Sequence, residues 1–190
     1  MPDSAALLLV DLVNPFDFDG AEALLERAGP AFEAVADLAR RARAAGAPVV
    51  YVNDNFTRWT ESFDALVERC TADDAPGRAV VARVLPAEGD YHVLKPMHSG
   101  FYQTPLAHLL GELGVGRVVL AGVATDICVL ATAMDARMRD LDLVVPRDAC
   151  AAETDDAHDA ALAYFRRVLH AETPLAADVA FGSEDGSDGE

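Results

Sequence analysis

Five short apolar runs limit the folds open to this chain more than any other feature. They are AALLLVD (5–11), PVVYVN (48–53), YHVLK (91–95), RVVLAGV (117–123) and LDLVV (141–145). Most are continuous rather than alternating, the pattern of strands covered on both faces. Helical patterns separate them. Residues 21–45 are rich in Ala, Leu, Glu and Arg, and Gly46 follows as a candidate C-terminal cap. Shorter helical stretches fall at 61–70 and 104–113. In 126–139, Ile127, Leu130, Ala131, Met134 and Met138 form one stripe. The last long helix is expected over 155–169, with Thr154 as its N-cap. Strand and helix in alternation predict an α/β fold with a parallel sheet and right-handed crossovers.

The chain has 190 residues and is 52% apolar, enough for one domain with a substantial core. That domain is expected over 1–181. The region 71–88, with Pro76, Gly77 and Pro86, reads as a loop or lid. The segment GSEDGSDGE (182–190) is polar, acidic and expected to be disordered. No apolar run approaches ~18 residues, so no spanning helix is expected. The first residues carry no basic segment, which predicts no signal peptide and a cytoplasmic protein.

Thirty-two acids against fifteen bases give a net charge of −17. Nucleic acid and anionic membranes are therefore excluded as partners. The acidity fits either solubility or life at high salt, where cations screen self-repulsion. The expected partners are a small-molecule substrate and further copies of the chain, as dimer or tetramer. Cys70, Cys128 and Cys150 are an odd number at wide spacing, which argues against a disulfide framework or a CxxC zinc site.

In an open parallel sheet, ligands bind beyond the carboxyl ends of the strands. Asp11 closes the first run, Asn53, Asp54 and Asn55 close the second, and Lys95 closes the third. The fourth enters GVATDICV (122–129), which carries Cys128 into the start of a helix. Lys95 is the single lysine of the chain; the other fourteen basic residues are arginine. An acid, an amine and a thiol thus converge on one rim from separate strand ends. If Thr125 caps the helix, the dipole and Lys95 would both favour the thiolate of Cys128. Asp11, desolvated at the end of an apolar run, needs a partner, and Lys95 is the natural one. Cys70 and Cys150 lack this setting and read as structural.

These residues carry a resemblance. LLLVDLVNPF, VVYVNDNFTRW, HVLKPMHSGFYQTPL, LAGVATDICVLATAMDARMRD and LVVPRDACAAET, in that order, resemble the isochorismatase-like cysteine hydrolases. The resemblance implies a Rossmann-like three-layer sandwich, with a mostly parallel central sheet flanked by helices. It implies a catalytic triad of Asp11, Lys95 and Cys128. It further implies a non-proline cis peptide at Val123–Ala124 and an oxyanion hole from the backbone amides of Ala124 and Cys128. The activity it implies is hydrolysis of a non-peptide C–N bond in a small amide or N-carbamoyl compound, through a thioester and without a cofactor.

Two alternatives stay open. One is vinyl-ether hydrolysis, which needs Asp11 but not Cys128. The other is a catalytically silent module that uses the fold for oligomer contacts. Nicotinamidases of the family hold a metal with an Asp-x-His motif after the second strand. Here that place reads NDNFTRW, with no His nearby, so no metal is expected. His92 and His98 flank Lys95 instead. Phe16, Asn55, Trp59, Phe101 and Tyr102 flank the strand-end motifs and are the expected substrate pocket. Asp135, Asp140 and Asp142 read as an acidic surface face.

Overall fold

Leu7 and Leu9 of the first strand face one way, Leu8 and Val10 the other, and both sets are fully buried. This is why the strand shows no alternation: each face packs against its own layer of helices. In the computed structural model, which describes residues 4–56 and 58–181, the strands are β1 (Ser4–Val10), β2 (Val49–Asp54), β3 (Tyr91–Lys95), β4 (Val115–Val123), β5 (Asp142–Val144) and β6 (Cys150–Ala151). The tail 182–190 lies outside the described residues. The sheet order is β3-β2-β1-β4-β5, with β6 also paired to β4, and every pairing is parallel. β6 has two residues and leaves no apolar run to read, so the sequence expectation of five strands fell one short.

The helices are α1 (Ala21–Ala44), α2 (Phe63–Cys70), α3 (Arg78–Val81), α4 (Leu106–Glu112), α5 (Leu130–Arg137) and α6 (Asp155–Val168). Leu24, Phe32, Val35 and Leu38 of α1 pack with Leu7 and Leu9 on one face. Leu106, Ala133 and Phe165 pack with Leu8 and Val10 on the other. Burying a side chain of this size contributes ~1.5–3 kcal/mol. Thr154 caps α6, its hydroxyl accepting from the Ala157 amide at 3.1 Å. No helix among the described residues is long and apolar enough to cross a membrane.

Three expectations are corrected. The region 71–88 is not a loop throughout: it holds α3, Val80, Val81 and Val84 are buried in the core beside α1, and Tyr51 Oη donates to the Val84 carbonyl at 2.7 Å. The expected stripe on the cysteine-bearing helix is its outer face. Ile127, Met134 and Met138 are 41%, 40% and 72% exposed, while Val129, Thr132, Ala133 and Ala136 are buried. The cause is the helix start. Thr125–Val129 forms a π-turn, with the Val129 amide bonded to the Ala124 carbonyl at 3.2 Å. The wider turn rotates all later positions. Nor does Thr125 cap the helix. Ala124 is the last extended residue, and Thr125 is fully buried, its Oγ1 2.9 Å from His158 Nδ1 on α6.

Candidate active site

The sheet brings the strand-end residues together by register. Asp54 and Lys95 are partners across β2 and β3, so they face the same way. Val10, just before Asp11, pairs with Val52 on one side and Gly122 on the other. Asp11 therefore leaves β1 between the ends of β2 and β4. It does so with φ 50, a left-handed conformation that Asp tolerates better than most residues. That turn keeps its amide on the Val52 carbonyl at 3.0 Å.

Gly122 makes the close approach of β4 possible. A Cβ there would stand 2.0 Å from the Val10 carbonyl oxygen, and its φ of +135 is one that side chains avoid. Beyond it, the Val123–Ala124 peptide is cis, and the π-turn that follows carries Cys128.

The polar groups form one connected cluster. Lys95 Nζ lies 3.0 Å from Asp11 Oδ2, 3.4 Å from Asp54 Oδ2 and 3.6 Å from Cys128 Sγ. Asp11 Oδ1 accepts from the Asp54 amide at 2.7 Å, and the charge of the Asp11 carboxylate acts on the Cys128 thiol. Asp54 Oδ1 accepts from the Phe56 amide at 2.7 Å. Lys95 is 0% and Asp11 5% exposed, while Cys128 is half-buried. A buried lysine is tolerable here because two carboxylates face it.

Burial lifts the Asp11 carboxyl above its ordinary value, with Lys95 opposing. Burial, the largest effect, works against the Lys95 ammonium, but Asp11, Cys128 and Asp54 together outweigh it, and the amine is held above its usual value. Burial, then the charge of Asp11, pushes the Cys128 thiol up, with Lys95 opposing. The resting group is thus a thiol beside a carboxylate rather than the thiolate expected from the helix dipole. Cys70 and Cys150 are buried free thiols, pushed by burial up to about 11 and about 12.

The expected pocket residues separate. Asn55 is buried, its amide bonded to the Lys95 carbonyl at 3.1 Å. Phe16 is buried in the core 6.4 Å from Phe32, and Phe101 is buried under the Arg139 guanidinium at 4.7 Å. Trp59 and Tyr102 are 77% and 51% exposed. Asp135 is no free surface acid: it accepts from Ser99 Oγ and pairs with Arg139 at 3.1 Å. A cleft of about 500 Å³, lined by Glu26, Asp148, Cys150 and His158 among others, does not include Cys128.

The isochorismatase domain model matches residues 5–176. The chain belongs to the isochorismatase family. It is similar to an uncharacterized isochorismatase family protein, YaaI, of Bacillus subtilis (strain 168). The two are 35% identical over 167 residues, covering 88% of this chain and 91% of the relative. It is similar to the maleamate amidohydrolase of Pseudomonas putida, 31% identical over 165 residues, covering 83% of this chain and 76% of that protein. Among solved structures, the N-carbamoylsarcosine amidase of Thermoplasma acidophilum superposes with a TM-score of 0.71. It is 30% identical and covers 93% of this chain and 98% of that one. The chain is an isochorismatase-family hydrolase, and two of these relatives, the maleamate amidohydrolase and the N-carbamoylsarcosine amidase, are named for amide hydrolysis.

The metal of the nicotinamidase branch does not fit the residues present. Asp54 spends its carboxylate on Lys95 and the Phe56 amide, and Asn55 and Phe56 follow it in place of a histidine. Among the described residues, no group of three or more His, Cys, Asp and Glu side chains is placed to hold a metal ion.

Proposed function

We propose that this protein is a cysteine hydrolase that cleaves a non-peptide C–N bond of a small amide or N-carbamoyl compound. The observation that carries the reading is the Lys95 ammonium, within 3.0 Å of Asp11 and 3.6 Å of the Cys128 thiol at the mouth of the sheet. The amidase relatives supply the bond type.

In this mechanism Asp11 takes the proton of Cys128 Sγ as the sulfur attacks the substrate carbonyl carbon. The Lys95 ammonium gathers base and nucleophile side by side, 3.0 Å from Asp11 and 3.6 Å from Cys128, the proximity such activation requires. Lys95 balances the negative charge that passes between them. The amides of Ala124 and Cys128 stabilise the oxyanion. Asp11 returns the proton to the departing nitrogen, ammonia or amine leaves, and water hydrolyses the thioester.

The test is ammonia release from a panel of small amides and ureido compounds, by wild type and Cys128→Ala. Loss of several orders of magnitude in the variant, with an unchanged melt, is the expected result. Near-normal turnover by Cys128→Ala would overturn the thioester and favour a reaction that uses Asp11 alone.

A further inference from the structure

His98 Nδ1 stands 4.0 Å from Cys128 Sγ, and the mechanism above gives it no part. Of the acid–base side chains that reach this sulfur, Asp11 and Lys95 are buried, and His98 is exposed. We propose that His98 is a second acid–base catalyst, serving hydrolysis of the acyl-enzyme as Asp11 serves its formation. The inference rests on the thioester reading.

The loop that presents His98 is tied to the helix that carries the nucleophile. The Gly100 amide donates to Thr132 Oγ1 at 3.0 Å, and that hydroxyl donates to the Cys128 carbonyl at 2.7 Å. Ser99 Oγ donates to Asp135 Oδ2 and accepts from the Phe101 amide at 3.1 Å. Arg139 holds Asp135 at 3.1 Å and lies over the Phe101 ring. The three residues after His98 are thus fastened to Thr132, Asp135 and Arg139, about one to three turns beyond Cys128. An imidazole on such a clamp keeps its place relative to the sulfur without help from substrate.

Asp11 is poorly set for the second half of the reaction. Its two oxygens are engaged by the Asp54 amide and by Lys95, and solvent scarcely reaches it. Water enters from the exposed side, where His98 is. In the Nε2–H tautomer, Nδ1 accepts a proton from the water whose oxygen bonds to the thioester carbon. The C–S bond then breaks with its electron pair on sulfur, and the imidazolium returns the proton to Sγ. Carboxylic acid, Cys128 thiol and neutral His98 result.

p-Nitrophenyl acetate separates the two halves, because acetylation of the thiol releases p-nitrophenolate at once and turnover waits on hydrolysis. The proposal expects His98→Ala to keep a burst of one p-nitrophenolate per chain. Its steady rate should fall about 10²-fold, the scale of a lost acid–base group. Acetyl-enzyme should persist in the intact mass, and free imidazole should restore hydrolysis. His98→Gln, which keeps a hydrogen-bonding side chain without a base, should be as slow as Ala. A steady rate within a few-fold of wild type in either variant, or a slow His98→Ala that imidazole does not rescue, overturns the role of His98 alone. A burst that survives in Cys128→Ala overturns the thioester reading and this inference with it.

Discussion

Asp54 and Lys95 are register partners on adjacent parallel strands, and their charged ends stand 3.4 Å apart. Lys95 sits on β3 and Asp11 beyond β1, with β2 between them, a lateral span of about 10 Å. Only a long side chain crosses it, and Lys95 does so past Asp54 to reach Asp11 at 3.0 Å. Two carboxylates and one ammonium around a thiol leave the cluster with one excess negative charge. A resting thiolate would add a second. Burial first, and then this charge, keep the proton on the thiol until a carbonyl arrives to take the electron pair.

The same crossing decides what can replace the lone lysine. Lys95→Arg keeps the charge, and a plain ion pair with Asp11 would accept it. The guanidinium is planar and wider, and its donors are fixed in direction, so it cannot point one atom at Asp11, Asp54 and Cys128 together. A shift of ~1 Å at the nucleophile costs about 10²-fold in rate. The variant is expected to stay folded with kcat/KM down by about that factor. Steady-state kinetics beside a thermal melt measures it, and activity within a few-fold of wild type would reduce Lys95 to a source of charge.

Labelling with iodoacetamide at neutral pH should modify Cys128 and spare Cys70 and Cys150. The latter two are buried, so the reagent does not reach their sulfurs. Cys128 is half-buried, and although its pKa is raised, Asp11 is in place to take its proton. Asp11→Asn removes that base and should slow labelling of Cys128. Peptide mass mapping over time gives all three rates in one experiment, and equal rates in wild type and variant would mean that Asp11 does not activate the sulfur.

Gly122→Ala should damage fold and site together. The new methyl would meet the Val10 carbonyl oxygen at 2.0 Å, and this contact is backbone, which cannot swing away. Strain at φ +135 adds to it. A loss of at least ~2 kcal/mol is expected, roughly 4–8 °C in Tm for a chain of this size. The displaced segment is the one that separates Asp11 from Cys128, so activity should fall in the fraction that remains folded. An unchanged melt would show that β1 and β4 tolerate a wider spacing here.

The main strands were legible because buried parallel strands write themselves as apolar runs. Asp11, Lys95 and Cys128 were legible because polar residues at the ends of such runs must face one rim. What the sequence hid depends on geometry that no residue pattern encodes. The π-turn rotated a helix whose polar and apolar positions are nearly uniform, so the expected buried stripe of Ile127, Met134 and Met138 faces outward. Thr125 looked like a cap and is instead a partner for His158, distant by thirty-three residues. Asp135 looked like a surface group, and its contacts come from a loop folding back onto α5. His98 did carry a signal, three residues past the lysine. It was weighed only as a metal ligand, and its approach to sulfur needs the fold.

The raised carboxyl of Asp11 fixes the direction of the pH profile. Burial favours its neutral form, so in the folded protein it takes up a proton at higher pH than the ordinary 3.8. The ionised form is the one that accepts the thiol proton. As pH falls through the raised value, the base is lost and kcat/KM falls with it, so the acid limb should lie above the range of an exposed aspartate. Asp54→Asn sharpens the test. It leaves the backbone amide that donates to Asp11 Oδ1 and removes a second carboxylate from the same ammonium. Lys95 then has only Asp11 to satisfy, its charge acts on that group undivided, and the acid limb should move to lower pH. Initial rates of ammonia release from pH 4 to 8, about the interval where carboxyl and imidazole groups titrate, measure both profiles. A limb that stays put in Asp54→Asn would mean that Asp54 does not compete for Lys95.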